Sequence, residues 1–82
     1  MVSHNFLNME ERMILMILAS KRRSMTSQQL TNALAVYEIK RSRPTVAKYL
    51  RHLKSMKRVK SVGRRYRVID YEETIKNVRR DR

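Results

Sequence analysis

The spacing of apolar residues changes after Leu53, from helical to strand-like, and that change decides what the chain can build. Up to Leu53 they recur at helical intervals. Val46, Leu50 and Leu53 stand at i, i+4 and i+7, which places them on one face of a helix. From residue 58 onward Val, Ile and Tyr fall into two short runs, 58–62 and 66–69, separated by Gly63-Arg64-Arg65. Short β-branched and aromatic runs around a glycine read as a β-hairpin. Val59, Tyr66 and Val68 are its expected inward side chains. Helices followed by one hairpin give an α+β chain, mostly α.

Local signals bound the helices. Asn8 is a good N-cap and Glu11, three residues on, completes a capping box, so a first helix is expected over 8–20. Glu10 and Glu11 in its first turn and Lys21, Arg22 and Arg23 beyond its last suit the helix dipole, and capping accounts for these acids. Ile14, Leu15 and Leu18 beside Met9, Met13, Met16 and Ile17 spread apolar surface around most of its circumference. Such a helix is central to a core or partly covered by a second chain. Thr26 and Gln29 form a second capping box, with Met25 and Leu30 as a hydrophobic staple. Leu30, Ala33, Leu34 and Tyr37 are the expected inward face of this second helix. A connector over 36–41 leads to a third helix over 42–56, with Ser42 as N-cap and Pro44 in the first turn, where its missing N–H costs nothing. Asp70 and Glu73 open a final helix over about 71–80, with Tyr71, Ile75 and Val78 as its apolar stripe. The chain reads as a single domain over 1–82, its core spanning about 8–70. At 82 residues, that core is thin.

Charge narrows the partners. Twenty Lys and Arg stand against seven Asp and Glu, a net charge of +13. Between Glu38 and Asp70 there is no acid at all, yet twelve of the twenty cations lie there. An excess of one sign on this scale attracts polyanions, nucleic acid ahead of membrane. Without Cys there is no disulfide and no thiolate metal site. Two His with no convergent ligands hold no metal, and no cofactor is expected. The basic region has no paired carboxylates, no phosphate-cradling Gly loop and no Ser-His-acid set, so no enzyme is expected. The longest apolar run, 13–19, falls short of the roughly 20 residues of a membrane span and has no basic segment before it, so a cytoplasmic location is expected.

The third helix carries its core stripe on one side. On the other lie Pro44, Lys48, Arg51 and Ser55, flanked by Thr45, Ala47 and His52. Thr26-Ser27-Gln28-Gln29-Leu30 through Ser42-Arg43-Pro44-Thr45-Val46-Ala47-Lys48-Tyr49-Leu50-Arg51-His52-Leu53 resembles the helix-turn-helix of bacterial, archaeal and phage winged-helix transcription regulators, and residues 58–69 resemble their wing. The resemblance covers about residues 9–69 and is specific to the superfamily. It implies that the third helix is a recognition helix, that the hairpin is a wing, and that a homodimer on a two-fold DNA operator is common. Two features depart from it. The connector 36–41 is longer than the usual tight turn, and Lys57-Arg58 stands where such proteins often place Gly before the first wing strand.

A groove-reading helix must offer donors to base edges and positive charge to phosphates. The candidate contacts to double-stranded DNA are Arg41, Ser42, Arg43, Thr45, Lys48, Arg51 and His52 around the third helix, and Arg64, Arg65 and Arg67 on the hairpin. Lys54, Lys57 and Lys60 belong to the surrounding field, as Arg67 largely does. His52 also reads as an ordinary surface histidine, and Tyr49 packs at the edge of the core stripe. No small-molecule ligand is evident. Two other readings stay open: a small RNA-binding or ribosome-associated protein, and an adaptor whose basic face docks an acidic protein.

Overall fold

Each helix begins where a side chain can satisfy its first N–H groups. In the computed structural model, which describes residues 7–69, α1 (Met9–Lys21) is closed by the expected box. The Asn8 side chain accepts from the Glu11 N–H at 2.7 Å, and the Glu11 carboxylate accepts from the Asn8 N–H at 3.0 Å. In α2 (Ser27–Val36), Thr26 and Gln29 do the same, at 3.1 and 2.9 Å. α3 (Arg43–Ser55) starts after Ser42, whose hydroxyl accepts from the Thr45 N–H at 3.4 Å, with Pro44 in the first turn. These bounds lie within a residue of those read from the sequence.

The helix ends are less usual. Arg22, Glu38 and Lys57 take the left-handed conformation, with φ of 55°, 64° and 61°, a region that usually falls to Gly. After α2, the N–H groups of Glu38 and Ile39 donate to the carbonyls of Ala35 and Leu34. After α3, those of Lys57 and Arg58 donate to Lys54 and Leu53. Both are Schellman closures. The missing Gly at position 57 therefore leaves the helix stop intact.

Among the described residues the sheet has three antiparallel strands in the order β1-β3-β2: β1 (Met25–Thr26), β2 (Val59–Val62) and β3 (Arg65–Val68). β2 and β3 are the expected hairpin, but its turn is shorter than expected. Val62 pairs with Arg65, so only Gly63 and Arg64 lie in the loop. Gly63 has φ 63° and Arg64 is not left-handed, as in a type II′ turn, which needs Gly at its first central position. β1 was not expected. It is two residues long and pairs Met25 with Tyr66 and Thr26 with Arg65.

The inner face of this sheet, with Val59 and Val68 buried and Tyr66 half-buried against them, closes the core formed by the three helices. Ile14, Leu15, Leu18, Leu30, Leu34, Val46, Leu50 and Leu53 fill that core. One expectation about side chains needs correction. Tyr37 does not face inward: it is the C-cap of α2 and is 57% exposed. The apolar surface of α1 is not all covered, since Met9 and Met16 stand 61% and 44% exposed while Ile14, Leu15, Ile17, Leu18 and Ala19 are buried. The final helix expected over 71–80 lies outside the described residues.

Candidate nucleic-acid interface

Burying Val46, Leu50 and Leu53 fixes the rotation of α3, so its opposite side must face solvent. Pro44, Lys48, Arg51 and Ser55 are all exposed there. Thr45, Ala47 and His52 are half-buried along the margins. Arg43, at the first helical position, is exposed as well. Among the described residues the side chains of Arg43, Lys48 and Arg51 have neither a hydrogen-bonding nor an ion-pair partner. The sheet adds a second surface. Strand alternation turns Val59, Ser61, Tyr66 and Val68 inward and Lys60, Val62, Arg65 and Arg67 outward. Lys60 lies directly opposite Arg67, which adds it to the basic face. Arg64 projects from the turn, and Arg64 and Arg67 also lack partners among the described residues.

The remaining candidates are tied into the fold. Arg41 donates from Nη2 to Glu10 at 2.6 Å. Glu10 is held below the ordinary carboxylate value, first by a backbone N–H and then by the Arg41 guanidinium. Arg41 is raised in turn, by Glu10 first and by the Tyr49 side chain second. His52 Nδ1 lies 2.6 Å from the second oxygen of Glu11, the carboxylate whose first oxygen caps α1. Glu11 is 4% exposed, the one buried charged side chain among the described residues. Accepting on both oxygens is what makes such burial tolerable. The Ser42 and Thr45 hydroxyls hydrogen-bond each other at 3.0 Å at the α3 N-terminus. Arg65, on the central strand, donates to the Ser24 hydroxyl at 2.9 Å and to the Ser24 carbonyl at 2.7 Å. Lys54 reaches Ser61 on β2 at 3.0 Å.

Sequence reading placed no carboxylate near the basic region and gave Glu10 and Glu11 to capping alone. The fold corrects this, because the N-terminus of α1 lies beside α3 and the connector before it. The two acids meet Arg41 and His52 there and bound the basic face on one side. No sequence signal marks a capping glutamate that also bonds a histidine forty-one residues away. Of the candidate contacts, those without a side-chain partner among the described residues are Arg43, Lys48 and Arg51 on α3 and Arg64 and Arg67 on the hairpin.

The N-termini of α2 and α3 and the hairpin turn converge on a cleft of about 510 Å³, lined by Thr26, Ser27, Gln28, Arg43, Gly63, Arg64 and Tyr66. Among the described residues no group of three or more His, Cys, Asp or Glu is placed to hold a metal, and no helix is long and apolar enough to cross a membrane. Compared with known protein families, curated proteins and solved structures, the chain matches none.

Proposed function

We propose that the protein is a winged-helix protein that binds duplex DNA and regulates transcription. In this reading α3 is the recognition helix in the major groove. The β2–β3 hairpin is the wing, lying on the backbone or in the minor groove. The observation that carries it is the clustering of Arg43, Lys48, Arg51, Arg64 and Arg67, each without a partner among the described residues, on a helix and the hairpin beside it. A protein gains nothing in its own stability from unpaired like charges, whereas a phosphate backbone repays them through counterion release. The helix also has the shape that a major groove admits. Affinity would come from phosphate contacts and specificity from the few base edges that Lys48 and Arg51 reach. Regulation would follow from occupying or recruiting at a promoter. Binding as a homodimer to a two-fold site belongs to the same proposal. Exposed Met16, Val36 and Tyr37 leave apolar surface for such a contact away from α3.

The test is selection from a random pool of duplex DNA at physiological salt, with structured RNA as competitor. Enrichment of a palindrome with half-sites about one helical turn apart is the expected outcome. Loss of the DNA to the RNA competitor, or binding with no enriched sequence, would retire the promoter reading in favour of an RNA-binding or architectural protein.

A further inference from the structure

The cleft between the two helix N-termini and the hairpin turn is unlike the rest of the basic surface, because it is concave. Arg43, at the first position of α3, and Arg64, in the turn, both line it, so two arginines twenty-one residues apart in sequence are brought to one cavity. Neither has a partner among the described residues, and no carboxylate lines the cleft. Two like charges facing one space repel, and an anion seated between them removes that cost. Ser27 and Gln28 line the same cleft from the start of α2. They stand in the first turn of α2, where backbone N–H groups have no intrahelical acceptor. A guanidinium fork matches the tetrahedral oxygens of phosphate, and about 510 Å³ is more space than one carboxylate needs.

We propose that this cleft is a phosphate seat in which Arg43 and Arg64 hold one phosphoryl group between them. That group is either a phosphodiester of bound nucleic acid or the phosphate of a small free polyphosphate, which then competes with nucleic acid for the seat. Only the phosphodiester arm rests on the DNA-binding reading above.

The experiment titrates the full chain with inorganic pyrophosphate at constant ionic strength, followed by amide NMR, and repeats it with Arg43→Gln, Arg64→Gln and the double variant Lys48→Gln/Arg51→Gln. The seat predicts saturable shifts at Ser27, Gln28, Gly63 and Arg64. Losing either cleft arginine weakens binding by about tenfold or more, the effect of removing one hydrogen-bonded charge. The double variant on the outer face of α3 leaves pyrophosphate binding within about twofold, because its charges lie outside the cleft. Shifts that do not saturate, or that fall equally in the double variant, would overturn it. A labelled duplex added to the same samples separates the two ideas. If pyrophosphate saturates the cleft but no duplex binds, the seat stands and the DNA reading falls. If duplex binds while pyrophosphate moves nothing, the DNA reading stands and the seat falls.

Discussion

Lys57 shows how a single residue bears a cost that the fold requires. It ends α3 with φ 61° in a position that suits Gly, and both Schellman bonds form around it. A residue with a Cβ loses roughly 1 kcal/mol or more in the left-handed region. Lys57→Gly should therefore raise stability by up to about 1 kcal/mol, or several degrees in Tm. An unchanged or lower Tm would contradict the strain reading. Glu10 gives a second residue-scale test. Its carboxyl is lowered, first by a backbone N–H and then by Arg41. A lowered folded value means that its stabilisation is fully present above the ordinary value and is lost as pH falls through the lowered one. Glu10→Gln should thus be less stable than wild type at pH 7, and the gap should close at acid pH. A gap that stays constant down to pH 2 would show that the Arg41 pair does not act through charge.

Among the elements, the caps were the most legible in the sequence, because a capping box is complete within four residues. Asn8 with Glu11 and Thr26 with Gln29 state their helices without help from the rest of the chain. The hairpin was legible in its strands and in Gly63, while Arg65 was misplaced by one position, in the turn rather than in β3. β1 was not legible. Two residues carry no period, and their partners Tyr66 and Arg65 lie about forty residues away. The same holds for the contacts of Arg41, His52 and Arg65, which tertiary packing creates and local pattern does not encode. The hairpin also carries a cost of its own, since Lys60 and Arg67 face each other across β2 and β3. Like charges in that relation are destabilising. Lys60→Glu should stabilise the fold by roughly 0.2–1 kcal/mol and at the same time weaken duplex binding. A variant that binds duplex as tightly as wild type would remove the outer sheet face from the interface.

At the scale of the whole molecule, charge is the dominant fact. The sixteen cations and three acids between Leu7 and Ile69 carry the entire net charge of +13. Such an excess opposes the compact state and favours a polyanion. Salt should therefore act in opposite directions on the two. Raising it from 50 to 300 mM should raise Tm by screening the repulsion and weaken duplex binding by reducing the gain from counterion release. If both quantities moved the same way, the cations would not be acting as an unpaired field. The placement of that field matters more than its sum. The described acids stand at its margins, Glu10 and Glu11 on α1 and Glu38 after α2, and the outer sides of α3 and the hairpin remain purely basic.

The most direct test of that placement compares two double variants with the same loss of charge. Lys48→Ala/Arg51→Ala strips the outer side of α3, and Lys21→Ala/Arg23→Ala strips the end of α1. Duplex affinity is measured for both at one salt concentration. The first should fall by about tenfold or more, as expected for base contacts worth roughly 1–3 kcal/mol each, while the second stays within a few-fold of wild type. Equal losses in the two would mean that net charge alone draws the protein to nucleic acid, and that α3 is not the element that binds it.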